Sequence, residues 1–174
     1  MNLDLDDKVI VISGSSRGIG RGIAAILVEE GARVVITGRQ KNYVKQTVGE
    51  LEKQFPGQVL GHSGDLLEHT IIEGLRERVI GRWGCIDGVV ANAGAVKQIP
   101  DLDIAREDWE WYLKYNFDVA VLFTQIALQD LINQDKLKFQ ITHRLNLKSL
   151  SQNQIETIII MILHQDMFWR VETN

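Results

Sequence analysis

Short apolar runs alternate with stretches of helical periodicity up to about residue 127, and this alternation limits the folds open to the chain. Each run is continuous, as expected of strands that are buried on both faces of a parallel sheet. The runs predict strands over residues 8–13, 33–37, 58–62 and 86–91, and a long helix is predicted from residue 106 to about 131. This order predicts right-handed βαβ units and an α/β, doubly wound parallel sheet of about four strands.

The composition changes abruptly after Ala127. All 15 glycines lie between Gly14 and Gly94, and both prolines occur by Pro100. Residues 128–174 contain no Gly, Pro or Ala, although chain reversals commonly need Gly or Pro. We therefore predict a folded domain over 1–127 and a divergent tail over 128–174.

Charge and composition exclude several classes of function. The net charge is −4 with mixed signs, so the sequence predicts no nucleic-acid partner. The single Cys85 indicates a reducing compartment, and the four histidines lack metal-ligand spacing, so no metal site is predicted. The N-terminus is acidic, and the longest apolar run, 158–163, is too short to span a bilayer. We expect a cytoplasmic protein with no membrane partner.

A glycine-rich turn joins the first predicted strand to the first predicted helix. Its glycines, Gly14, Gly18 and Gly20, follow the spacing Gly-x-x-x-Gly-x-Gly. Backbone N–H groups in such a turn, with the positive end of a helix behind them, bind anions such as a pyrophosphate. A glycine omits the Cβ that would block close approach of the backbone. The turn therefore predicts a dinucleotide site, with a purely structural turn as the alternative.

The end of the second predicted strand bears on the choice of cofactor. The sequence there is Thr37-Gly38-Arg39, so no carboxylate is present to accept from a ribose 2′-hydroxyl. Arg39, with Arg17 in the glycine-rich turn, offers guanidinium groups that suit a 2′-phosphate. NADP is therefore favoured over NAD, and the alternative is that both arginines are ordinary surface charges.

Four motifs together resemble the short-chain dehydrogenase/reductase family over residues 8 to about 127. Residues 13–20 are similar to its Thr-Gly-x-x-x-Gly-x-Gly motif, with Ser13 in place of Thr. Residues 91–94 (Ala-Asn-Ala-Gly) resemble its Asn-Asn-Ala-Gly motif, and 65–66 (Asp-Leu) resemble its adenine-facing Asp. Residues 115–117 (Tyr-Asn-Phe) resemble the helix that carries its catalytic Asn. The resemblance implies a Rossmann-like fold and an oxidoreductase function with a nicotinamide cofactor.

The resemblance also implies roles for individual residues. Asp65 and Leu66 would hold the adenine, and Asn116 would place a water in the proton relay. The family's long helix around the catalytic Asn packs against a neighbouring subunit, which implies self-association. The residues that would line the pyrophosphate and its ribose are Gly14, Ser16, Arg17, Gly18, Ile19 and Gly20, and those at the nicotinamide-side ribose are Asn92, Ala93 and Gly94. The apolar residues proposed for the self-associating surface are Trp109, Tyr112, Leu113, Phe117, Val121, Phe123 and Ile126.

The sequence departs from the family at its catalytic pair, Tyr-x-x-x-Lys, in which the Tyr transfers the proton. The tyrosines here, Tyr43, Tyr112 and Tyr115, are followed four positions later by Thr, Asn and Val. We therefore expect no carbonyl reduction by this chain alone. The tail matches nothing in the family, which suggests a frameshift, an unspliced junction or a pseudogene.

Three functions stay open on these grounds, and the substrate is not predicted. The chain is the cofactor-binding half of an oxidoreductase, a dinucleotide-binding module with a regulatory or partner-binding role, or a non-functional fragment.

Overall fold

The computed structural model of the chain describes residues 5–97 and 104–133. Four parallel strands form one sheet in the order β3-β2-β1-β4. They are β1 (Val9–Ile12), β2 (Arg33–Gly38), β3 (Val59–Ser63) and β4 (Gly88–Val90). The prediction of an α/β parallel sheet with about four strands is confirmed for the described residues. Most of the predicted tail, from residue 134 on, lies outside them.

The register aligns the apolar residues of neighbouring strands. Ile10 of β1 lies opposite Val34 of β2 on one side and opposite Gly88 of β4 on the other. β4 is shorter than predicted because Asp87, just before it, bonds to β1 partly through its side chain. Its Oδ2 accepts from the N–H of Val9 at 3.0 Å, while its own N–H donates to the Val9 carbonyl at 2.9 Å.

Helices connect the strands and cover both faces of the sheet. They are α1 (Gly18–Glu29), α2 (Lys41–Glu52), α3 (His69–Trp83), α4 (Arg106–Leu113) and α5 (Val119–Asn133). A π-helical turn, Lys114–Asp118, joins α4 to α5. The single long helix predicted from residue 106 is therefore present but interrupted, and Asn116 lies in the interruption.

The core has two layers because successive strand residues point to opposite faces. Ile10 and Ile12 pack with α1 and α2 on one face. Val9 and Val11 pack with α3 and α5 on the other. The carboxyl ends of β1, β2 and β4 come together at one edge of the sheet between these layers.

Two residues of the predicted self-associating surface belong to this core. Phe123 is fully buried and Ile126 is 3% exposed, and both pack with α3 and the sheet. Their assignment to an exposed surface is wrong, because α5 turns them toward β4 and α3. Trp109, Leu113 and Phe117 are exposed, at 55%, 40% and 58%.

Candidate functional site

The glycine-rich turn leaves β1 and enters α1 at the carboxyl edge of the sheet. Gly14 and Gly18 have φ values of +62° and +59°, which L-residues with a side chain rarely adopt. α1 begins at Gly18, and its N-cap residue Arg17 makes no side-chain capping hydrogen bond. The positive end of a helix of 12 residues therefore faces this turn.

Two hydroxyl groups attach this turn to β2. The Thr37 hydroxyl donates to the Ile12 carbonyl at 2.9 Å and accepts from the Gly14 N–H at 3.2 Å. The Ser15 hydroxyl donates to the same carbonyl at 2.7 Å and accepts from the Thr37 N–H at 2.9 Å. Ser15 and Thr37 are both buried. Neither role is predicted from the sequence, although Thr37 stands out as a polar residue at the end of an apolar run.

Ser13 and Asn92 attach the turn to the end of β4. The Ser13 hydroxyl accepts from the N–H groups of Asn92 and Ala93, each at 2.8 Å, and donates to the Val90 carbonyl at 3.3 Å. The Asn92 side-chain amide donates to the carbonyls of Ser13 at 3.0 Å and Gly14 at 3.3 Å. The structure thus brings together the predicted pyrophosphate turn and the predicted ribose-binding segment 92–94.

These segments touch at two glycines. A Cβ built on Gly14 would lie 3.0 Å from the Ala93 Cα. A Cβ on Gly20 would lie 2.5 Å from the Asn92 Nδ2 and 2.5 Å from the Gly14 carbonyl oxygen. Both glycines are therefore required by close approach of the backbone.

The tip of β2 is shaped by Ser16 and Gly38. A Cβ built on Gly38 would lie only 2.5 Å from the Ser16 Oγ, so the serine hydroxyl fills the space beside the strand tip. The Ser16 carbonyl accepts from the Thr47 hydroxyl on α2 at 2.8 Å, which holds the Ser16 backbone against α2.

Two exposed arginines flank the same tip. The Arg17 guanidinium lies 5.5 Å from the centre of the Tyr43 ring, and the Arg39 guanidinium lies 5.8 Å from that of Tyr115. Each distance is within the range of a cation–π contact. The two positive groups predicted from sequence are thus both oriented by aromatic rings.

The residues that follow β3 have different environments. The Asp65 carboxylate accepts from the Leu67 N–H at 3.1 Å, and Leu66 is only 5% exposed within the core. The side chain of Leu66 therefore packs inward.

Ile19, in the first turn of α1, is by contrast 45% exposed.

His62 lies on β3, and a Cβ built on Gly74 of α3 would lie 3.8 Å from its ring. Burial and the nearby positive charge of Arg78 lower the pKa of His62 below its usual value. Its Nε2 atom is buried with no hydrogen-bond partner among the described residues. A neutral imidazole is therefore favoured at this position.

Asn116 lies in the π-helical turn and holds the segment after Gly94. Its Oδ1 accepts from the Ala95 N–H at 3.1 Å, and its Nδ2 donates to the carbonyls of Ala95 and Tyr112, each at 3.0 Å. A Cβ built on Gly94 would lie 2.8 Å from the Asn116 Oδ1. Such π-helical turns are frequent at functional sites.

Two further observations concern the described residues only. They contain no group of three or more His, Cys, Asp or Glu side chains arranged to hold a metal ion. No helix in the described part of the chain has the length and apolar character needed to cross a membrane.

The sequence and the fold match known proteins. The pattern of the family described as short chain dehydrogenase matches residues 8–138. A 3-oxoacyl-[acyl-carrier-protein] reductase from Aquifex aeolicus is 34% identical over 134 residues, covering 77% of this chain and 54% of that protein. An uncharacterized oxidoreductase from Bacillus subtilis is 32% identical over 134 residues, covering 77% of this chain and 50% of that protein. The chain thus spans about half the length of the curated relatives it matches.

Solved structures of known proteins also superpose on this chain. L-sorbose reductase from Gluconobacter frateurii, complexed with NADPH and L-sorbose, superposes with a TM-score of 0.70 at 28% identity, covering 77% of this chain and 51% of that one. A short chain dehydrogenase from Bacillus anthracis superposes with a TM-score of 0.67 at 32% identity, covering 73% of this chain and 52% of that one.

Proposed function

The chain belongs to the short-chain dehydrogenase family, and on that premise we propose that it binds NADP(H) at the carboxyl edge of its sheet. The glycine-rich turn and the N-terminus of α1 bind the pyrophosphate. Asn92, Ala93 and Gly94 bind the nicotinamide-side ribose, and Asp65 with Leu66 borders the adenine. When bound, the cofactor supplies or accepts a hydride in the reaction of this family.

The space beside Gly38 is the observation that carries this proposal. The Ser16 hydroxyl occupies the place where a side chain at the strand tip would begin, at 2.5 Å from a built Cβ. An acidic residue there would require the Ser16 hydroxyl to turn away, whereas a 2′-phosphate meets the guanidinium groups of Arg17 and Arg39. Guanidinium groups bind phosphate through paired, charge-assisted hydrogen bonds. NAD, which needs a carboxylate partner for its ribose, is the less suited cofactor.

Cofactor choice is tested by titrating the purified chain with NADPH and NADH and following nicotinamide fluorescence. Arg39→Ala should weaken NADPH binding by about tenfold to a hundredfold, because hydrogen bonds to a charged group contribute about 1.5–3 kcal/mol. NADH binding should change little. Arg21→Ala is the matched control, since Arg21 pairs with Glu50 at 2.6 Å on the outer side of α1 and α2. An unchanged NADPH-to-NADH affinity ratio in Arg39→Ala would contradict the assignment.

The activity of this chain alone is a separate proposal. The family reaction transfers a hydride between the cofactor and a carbonyl or alcohol, and its proton comes from a Tyr paired with a Lys. None of the three tyrosines here has that pairing in sequence, and the Tyr112 hydroxyl is bound to the backbone of Lys97. We expect hydride transfer to stay at background with a panel of ketones and alcohols. Turnover that survives removal of contaminating dehydrogenases and disappears in Asn116→Ala would contradict this.

A non-catalytic dinucleotide-binding module is the second candidate. The hydrogen bonds of Ser13, Ser15, Thr37 and Asn92 form a continuous frame around the turn, as a binding site requires. Binding without turnover supports this module, whereas absence of any binding supports a non-functional fragment.

Self-association is proposed through the exposed face of α4 and the π-helical turn. Ile104, Trp109 and Leu113 line a shallow depression there together with the charged Arg106 and Glu110, and Phe117 lies exposed one turn further. Apolar patches of this kind favour association. Light scattering should show oligomers that Phe117→Ser weakens, and a monodisperse monomer would contradict the proposal.

A further inference from the structure

We propose that Tyr112 is a positioning residue for the nicotinamide end of the cofactor, an inference that rests on the proposed function. Together with Asn116, it holds residues 95–97, here called the strap, along α4 and the π-helical turn. The strap follows Gly94 directly, and residues 92–94 are the ones proposed to bind the nicotinamide-side ribose. The geometry of the strap therefore limits the geometry of that site.

Two side chains hold the strap in the same way. Asn116 accepts from the N–H of Ala95 at 3.1 Å and donates to its carbonyl at 3.0 Å. The Tyr112 hydroxyl accepts from the N–H of Lys97 at 3.3 Å and donates to the carbonyl of the same residue. Each side chain thus satisfies both backbone groups of one strap residue.

The spacing of the two contacts fits an extended strap. Residues four apart on a helix are separated by about 6 Å along its axis, and alternate residues of an extended chain are about 6.6 Å apart. Alternate residues of an extended chain also present their N–H and C=O groups to the same edge. Tyr112 and Asn116, four apart, therefore match Ala95 and Lys97, two apart.

A third contact lies on the same helix face, one turn earlier. The Lys97 ammonium pairs with the Asp108 carboxylate, and Asp108 is four residues before Tyr112. The Lys97 side chain is 52% exposed, so this ion pair adds little free energy. The Tyr112 hydroxyl is thus the main contact that fixes the distal end of the strap.

Loss of the Tyr112 hydroxyl should affect only the nicotinamide end of the cofactor. Without the Tyr112 hydroxyl, the strap gains conformational freedom that binding of the nicotinamide ribose must remove. The adenosine end is held by other segments, the glycine-rich turn and the tip of β2 with Arg39. A ligand with the adenosine and its 2′-phosphate but no nicotinamide is therefore insensitive to Tyr112.

The test compares NADPH with adenosine 2′,5′-bisphosphate on the full chain by calorimetric titration. Tyr112→Phe removes the hydroxyl and keeps the ring, whose centre lies 5.4 Å from the centre of the Trp111 ring. NADPH binding should weaken by about threefold to tenfold, the effect of one lost hydrogen bond at the surface, with adenosine 2′,5′-bisphosphate unchanged within about twofold. Amide hydrogen exchange at residues 95 and 97 should become faster. Asp108→Asn, which removes the exposed ion pair with Lys97 and keeps the Tyr112 hydroxyl, should change none of these.

Equal weakening of both ligands would overturn the role of Tyr112, because it would show an effect through the whole fold. Unchanged NADPH affinity or unchanged exchange at 95 and 97 would overturn it as well. If the unsubstituted chain binds neither ligand, the proposed function itself fails, and the role of Tyr112 fails with it. Amide hydrogen exchange at residues 95 and 97 would then still show whether the Tyr112 hydroxyl holds the strap.

Discussion

Replacing Gly20 by alanine tests the close packing between α1 and the end of β4. Gly20 is buried in the first turn of α1, and a Cβ there would lie 2.5 Å from the Asn92 Nδ2, 2.5 Å from the Gly14 carbonyl oxygen and 2.9 Å from the Ser15 Cα. Two of these three atoms are backbone, so they cannot move away by a change of rotamer. The methyl group must therefore shift α1 or the glycine-rich turn.

Gly22 provides the matched control. It lies two positions later in the same helix, and a Cβ built on it would meet nothing within 4 Å. Gly22→Ala should raise the free energy of unfolding by about 0.5–1 kcal/mol, the usual gain for replacing glycine in a helix interior. Gly20→Ala gains the same propensity but adds an overpacking cost of typically about 1–3 kcal/mol, and the backbone contacts place it at the upper end. The two variants should therefore differ by about 2–3 kcal/mol.

The assay is urea unfolding followed by tryptophan fluorescence and far-UV circular dichroism, with NADPH titration on the same samples. Gly20→Ala should unfold at lower urea and lose NADPH affinity, because its methyl group disturbs Gly14 and Asn92 together. Gly22→Ala should retain both properties. If Gly20→Ala proves as stable as Gly22→Ala and binds NADPH as well, the packing of α1 on residues 92–94 is not as described.

Three other outcomes are expected from the same unfolding measurements. Ser13→Ala should lower the free energy of unfolding by about 0.5–1.5 kcal/mol, because the half-buried N–H of Ala93 loses its acceptor and that of Asn92 keeps only the Val90 carbonyl, whereas Ser13→Thr should preserve it. Phe123→Ala should cost about 3–5 kcal/mol and Phe117→Ala at most about 0.5 kcal/mol, since the first ring is buried and the second is 58% exposed; equal losses would contradict the assigned faces. Because the pKa of His62 is lowered on folding, its contribution to stability should be complete above about pH 6.5 and decline as the pH falls through the lower folded pKa. A His62→Leu variant that retained the same loss of stability on acidification below about pH 6.5 would contradict this.

The sequence predicted those parts of the fold and site that depend on neighbouring residues. The strands were predicted within about two residues because continuous apolar runs are typical of parallel sheets. Gly14 and Gly18 were assigned to the glycine-rich turn from a motif of neighbouring residues, and both have positive φ values, which glycine adopts easily.

Other features depend on contacts between distant residues or on helix geometry. The frame made by Thr37 and Ser15 joins two strands, and no local pattern specifies which hydroxyl bonds to which carbonyl. The apolar faces of α4 and α5 were predicted as one surface. Phe117 and Phe123 are six positions apart, which places them about 120° apart around a regular α-helix. Phe123 is therefore buried although Phe117 is exposed.

The hydrogen bonds of the Ser13 hydroxyl have a consequence for the order in which the chain folds. They join positions that are 77 to 80 residues apart. A loop of this length closes only against a considerable loss of chain entropy, so the contact forms when β4 docks beside β1 and not before. During synthesis, β1, the glycine-rich turn and α1 therefore emerge as a sequence motif well before they become a rigid site. The rigid site arises in the step that pairs β4 with β1, so a ligand selective for it favours the folded chain over every earlier intermediate.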